Sequence, residues 1–96
     1  MKLEDEYKLL VGAYYGVQEM DEYDLKVYVL EDIKDYIKNF IETSPISGYN
    51  YDYMAECFKS ELSLKTKLQD SLILLNRING PIELILMIKK RIKDLD

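Results

Sequence analysis

Histidine and tryptophan are absent from this chain of 96 residues, and cysteine occurs once. Without histidine there is no Ser-His-Asp triad, no His–Cys nucleophile pair and no histidine ligand for a metal. The lone Cys57 cannot form an intrachain disulfide, which makes the cytoplasm the expected compartment. With no histidine to activate it, Cys57 reads as a buried, inert thiol. Glycine (4) and proline (2) are scarce. Few turn formers mean few turns, which favours a handful of long helices over many short strands. Long hydrophobic runs are missing too. The longest aliphatic stretches, Leu72 to Leu75 and Leu84 to Ile88, fall far short of the ~20 residues that span a bilayer. With no run of that length no membrane partner is expected, and because the opening Met1-Lys2-Leu3-Glu4-Asp5-Glu6 is acidic and no apolar run follows it, neither is a secretory signal.

What is present describes an ordinary globular protein. The chain is 48% hydrophobic and 32% charged, too apolar for a disordered segment and too short for two domains. Leu3, Tyr7, Leu10, Val11, Tyr14 and Val17 fall on one stripe of a helix over about Leu3 to Met20. Gly12, Ala13 and Gly16 lie beside that stripe. Mid-helix glycine costs about 1 kcal/mol relative to alanine, so the expected return is close approach of another backbone. A second helix starts near Asp21 or Asp24, either of which can cap it. It carries Leu25, Val29, Ile33, Tyr36, Ile37 and Phe40 on one face and ends at Thr43-Ser44-Pro45. A loop over Pro45 to about Asn50 follows.

From Asn50 or Asp52 onward the apolar phase changes. Met54, Phe58 and Leu62 step by four, as do Leu64, Leu68 and Leu72, but Leu62 and Leu64 point about 200° apart. Either the helix breaks near Ser60 to Ser63, where serines can cap, or one long helix has a shifting buried face. The break is the favoured expectation. Asn79-Gly80-Pro81 is the strongest boundary, with glycine suited to a helix end and proline to the next helix's first turn. The last helix, Pro81 to about Leu95, has a main stripe of Leu84, Ile85, Ile88, Ile92 and Leu95. Ile82, Leu86 and Met87 lie off that stripe. The helix is therefore expected to be central in the bundle or buried by a partner, and these three residues form a candidate dimer interface.

Charge is unevenly placed. Residues 1–61 hold 14 acidic and 6 basic residues, a net of −8, and residues 62–96 hold 4 acidic and 7 basic, a net of +3. Dipole complementarity and solubility account for much of this. The sharper reading is an acidic face that docks on a basic surface: Glu19, Asp21, Glu22, Asp24, Glu31, Asp32 and Asp35, with Glu4, Asp5 and Glu6 beside them. The run Glu19 to Asp24 lacks the spacing, glycine and terminal glutamate of an EF-hand, so it reads as a turn with capping acids. Nine tyrosines are many for this length. Tyr7, Tyr14 and Tyr36 fall on core stripes. Tyr15, Tyr28, Tyr49, Tyr51 and Tyr53 do not, and are candidate aromatic contacts, or rings that lid the bundle with their hydroxyls in water.

Lys89-Lys90-Arg91-Ile92-Lys93 is basic. However, the preceding Ile82-Glu83-Leu84-Ile85-Leu86 offers little to a base edge or phosphate, and a net charge of −5 opposes direct nucleic-acid binding. The expected fold is all-α, a compact bundle of four to five helices in a single domain over residues 1–96. No catalytic residue, metal site or cofactor is expected. The leading functional expectation is a non-enzymatic protein–protein interaction module, acting as a stoichiometric inhibitor or regulator on a basic surface of a nucleic-acid-acting protein. A homodimeric adaptor comes second and a nucleic-acid-binding regulator using the last helix third. The chain is similar to small helical immunity proteins and phage-encoded inhibitors of host defence enzymes in size, charge and fold class, a likeness carried by no residue motif.

Overall fold

A computed structural model describes residues 3–43 and 51–95, with side chains for 4–43 and 55–95 among them. Five helices make up the described chain: α1 (Leu3–Gln18), α2 (Tyr23–Thr43), α3 (Tyr51–Glu61), α4 (Leu64–Arg77) and α5 (Ile82–Leu95). There is no strand among the described residues, and the all-α expectation holds. None of these helices is long and apolar enough to cross a membrane.

The helix boundaries have identifiable local causes. Between α3 and α4 the phase change is a true break. Ser63 leaves the helical region (φ −71, ψ 160) and its Oγ accepts from the Thr66 N–H at 3.1 Å. That bond satisfies an amide the helix start would otherwise leave unpaired, worth about 1 kcal/mol. At the other end of α4 the turn is built differently from the expectation. Asn79, not Gly80, takes the left-handed conformation, at φ 55. The Gly80 N–H then reaches back to the Leu75 carbonyl at 2.8 Å, closing a Schellman turn. Gly80 serves a steric purpose instead: a Cβ there would lie 2.7 Å from Leu75 Cδ2. At the start of α2 the Glu22 carbonyl accepts the first bond, from the Lys26 N–H at 3.0 Å. Asp24 therefore sits inside the first turn, where its charge faces the positive end of the helix dipole.

Helix α1 is the centre of the bundle. It packs most extensively on α4, then on α2 and α3. Close approach to α4 explains its small residues. A Cβ on Gly16 would lie 2.0 Å from Ser71 Oγ and 2.3 Å from the Lys67 carbonyl oxygen. Ser71 Oγ lies 2.9 Å from both the Ala13 and the Lys67 carbonyl oxygens. One hydroxyl proton thus ties α4 to the backbone of α1, alternating or shared between two acceptors. The expected return on the mid-helix glycines is this contact.

The main core gathers Leu10, Val17, Val29, Ile33, Leu68, Leu74, Leu75, Leu84 and Ile88 from four helices. Each such side chain contributes roughly 1.5–3 kcal/mol on burial. A smaller cluster of Tyr7, Val11 and Phe58 seats α3. The Tyr7 ring lies 6.4 Å from Phe40 and 5.9 Å from Phe58, centroid to centroid. Tyr14 and Tyr36, expected in the core, are half-buried against its edge.

The last helix corrects an expectation. It is not central: α5 packs chiefly on α4 at the side of the bundle. Leu84 and Ile88 enter the core, and Met87, read as part of a dimer interface, is half-buried against that core. Ile82 and Leu86 do face outward, at 71% and 57% exposed. Helix α5 also completes α1. No basic residue stands in the last turn of α1, so cations from elsewhere meet its free carbonyls. Arg91 donates to the Glu19 carbonyl at 2.6 Å, and Lys26 to the Gln18 carbonyl at 3.2 Å. Positive charge there complements the negative end of the helix dipole.

Candidate functional site

Helix α2 buries Val29 and Ile33 against the bundle. The 3.6-residue period then turns positions 24, 28, 31, 32 and 35 away from the core. All five side chains are exposed. Tyr28 stands in the middle at 76% exposed. Asp24 lies one turn before it, Glu31 and Asp32 one turn after, and Asp35 two turns after. An aromatic ring is thus surrounded by four carboxylates on a single helical surface. Glu31 pairs with Lys34 at 3.7 Å, a solvent-exposed bond worth little. Lys34 Nζ also lies 5.9 Å from the Tyr14 ring centroid, drawing that cation to the edge of the acidic surface. Among the described residues Asp24, Asp32 and Asp35 form no ion pair, so their field reaches solvent.

The remaining acids of the expected face extend it at its N-terminal end. Glu19, Asp21 and Glu22 are exposed in and around the α1–α2 turn. Glu6 does not belong to this surface, because it is bound by Arg77 across the α1–α4 seam. That bond raises the pKa of the guanidinium further above its ordinary value.

The tyrosines divide. Tyr28 is where the helix phase places it. Tyr15 is not an open contact: it is half-buried against the α3 cluster. Its ring meets Tyr14 edge-on at 5.3 Å, and Lys59 Nζ lies 4.8 Å from its centroid. Desolvation by burial, and then the nearby Glu56 charge, raise its phenol above the ordinary value. Packing by α3 is the reason, since the residue lies off the α1 stripe but faces a third helix. Tyr49 and the side chains of Tyr51 and Tyr53 lie outside the described residues. The sequence reading missed Tyr23 and Val27, exposed at 71% and 36%. They stand one turn apart at the start of α2, about 100–140° round the helix from Tyr28. Their signal was their spacing of four residues, off the buried stripe.

Elsewhere the chemistry is sparse. Among the described residues no group of three or more His, Cys, Asp or Glu is placed to hold a metal ion. Cys57, expected to be buried, is a half-buried free thiol. Asp70 is the one carboxyl with a large shift among the described residues. Burial raises it from 3.8 to about 6, against an opposing pull from the Lys8 charge. It lies over Gly12, in a position where a Cβ on that glycine would come within 2.2 Å of Oδ2. That places it in the α1–α4 seam, apart from the α2 surface. Helices α1, α2 and α3 also border an apolar groove of about 330 Å³, lined by Tyr7, Val11, Ile37 and Ile41 among others. No protein-family model matches the chain, and neither a curated protein nor a solved structure matches it.

Proposed function

We propose that this chain is a non-enzymatic protein-interaction module that docks the outward face of α2 on a basic surface of a partner protein. The observation that carries the reading is Tyr28, 76% exposed and ringed by Asp24, Glu31, Asp32 and Asp35. A rigid aromatic ring supplies a desolvated anchor, while a field of one sign steers encounter and fixes orientation. Proteins that act on nucleic acid carry the complementary surface, because they neutralise phosphates with lysine and arginine. Occupying such a surface makes the module a stoichiometric inhibitor or regulator, with no reaction of its own.

The test compares three immobilised baits in host lysate at low and high salt: the wild type, Asp32→Lys/Asp35→Lys, and Tyr28→Ala. Expected is a basic protein retained by the wild type at low salt, released at high salt, and held at least about tenfold less by either variant. Both variants alter exposed side chains, so the fold is kept. Equal retention by the charge-reversed bait overturns the reading. A second reading, an adaptor homodimer built on α5, draws on the exposure of Ile82 and Leu86 (71% and 57%).

A further inference from the structure

The outward face of α5 repeats the outward face of α2 with the charge inverted. On α2, Tyr28, Glu31, Asp32 and Asp35 follow one another at steps of three, one and three. On α5, Leu86, Lys89, Lys90 and Lys93 follow the same steps of three, one and three. Both segments are helical throughout, so equal steps give equal positions in space. All eight side chains are exposed. Laid side by side and parallel, the two faces oppose Tyr28 to Leu86 and Asp35 to Lys93 along the middle and, because facing helices exchange sides, Glu31 to Lys90 and Asp32 to Lys89 at the flanks, and this register brings no two like charges of these eight residues together.

These faces do not satisfy each other inside one chain. Helix α2 packs on α1 and α5 on α4, and both faces remain in solvent. Among the described residues Lys89, Lys90 and Lys93 form no ion pair. The neighbouring Arg91 turns the other way, onto the Glu19 carbonyl. The lysines are therefore not spent on holding the bundle together.

We propose that a second copy of this chain is a partner of the α2 face, docking through the outward face of its own α5. The inference rests on the reading of that face as a docking surface. It assigns the apolar residues left open on α5 to a contact between unlike faces, rather than to an α5–α5 pair, which would bring two lysine rows together. Three exposed ion pairs make the contact sensitive to salt. A basic partner must displace the second copy to reach the acidic face, so self-association sets how much of the module is free.

The experiment is sedimentation over a range of concentrations, at low and high salt, of the wild type and two charge-reversed variants. One is Glu31→Lys/Asp35→Lys and the other Lys89→Glu/Lys93→Glu. Expected is self-association of the wild type that weakens about tenfold at high salt. Each variant alone is expected to be monomeric. An equimolar mixture of the two should form a heterodimer, because one variant keeps its lysine face and the other its acidic face. Far-ultraviolet circular dichroism checks the fold, and the single reversals Asp35→Lys and Lys93→Glu replace any variant that fails it. A wild type that stays monomeric at all concentrations overturns the proposal, as does a mixture that stays monomeric or a variant that dimerises alone. The α2 reading survives the first of these if the wild type still captures a basic partner. Conversely, complementation in the mixture with no basic partner captured upholds this contact and removes that reading.

Discussion

Helices α1 and α5 are both rich in apolar residues, yet α1 is packed by α2, α3 and α4 while α5 lies at the side of the bundle, chiefly against α4. The difference lies in the small residues. Gly12, Ala13 and Gly16 give α1 a flat strip on which α4 rests backbone to backbone, with Ser71 bonded across the seam. Helix α5 has no such strip, so its branched side chains hold neighbours at a distance and only one side of it is covered. Apolar content alone does not place a helix at the centre; the distance of closest approach does.

The close packing of α1 on α4 depends most on Gly16. Gly16→Ala puts a methyl group 2.0 Å from Ser71 Oγ and 2.3 Å from a backbone oxygen that cannot rotate away. Alanine's better helix propensity returns about 1 kcal/mol, and the separation of α1 from α4 costs more. A net loss of about 2 kcal/mol is expected, read as a lower urea midpoint at unchanged slope. Gly12→Ala should cost clearly less, because the nearest obstacle is the end of the Asp70 side chain.

The same seam carries the next effect. Asp70 is raised from 3.8 to about 6, so the folded chain keeps this proton where the unfolded chain has lost it. Below about pH 4 the group is neutral in both states and costs nothing. Between about pH 4 and pH 6 the penalty builds, and stability falls as pH rises. Above pH 6 it is present in full. Asp70→Asn should remove that fall and stabilise the protein at neutral pH by about 1 kcal/mol, once solvent screening of a half-buried carboxylate is allowed for. Urea titrations of both proteins from about pH 4 to pH 7 read this directly. A wild-type stability that rises over the same window contradicts it.

The smallest effect belongs to α5. Leu86→Ser, at a position 57% exposed, should shift stability by less than about 0.5 kcal/mol in dilute protein at high salt. A thermal midpoint several degrees lower would place Leu86 in the core and undo the contrast with α1.

Much of this arrangement was legible in the residues. The stripes of α1, α2 and α5 placed their buried faces, except that Leu95 at the end of the α5 stripe is 47% exposed, and the clash of phase between Leu62 and Leu64 located the break that Ser63 caps. The acids at 24, 31, 32 and 35 followed from the same period, because any position opposite Val29 and Ile33 must face solvent. Other features depended on neighbours distant in sequence. Tyr15 lies off the α1 stripe but is covered by α3. Met87 lies off the α5 stripe and still reaches the core. The turn after α4 was open for a local reason: Asn79 and Gly80 are both turn formers, and Asn79 takes the positive φ because it directly follows the Ile78 cap.

By itself, then, the sequence determined the helices, their inner and outer faces and the absence of histidine chemistry, because these rest on local period and residue type. Tertiary structure alone decided that α1 is the centre and α5 the flank, and that α1's last carbonyls are met by Lys26 and Arg91. It also decided that the acidic face of α2 and the lysine face of α5 both stay in water. Those outcomes depend on which backbones can approach each other closely, a property of pairs of helices that no single helix encodes.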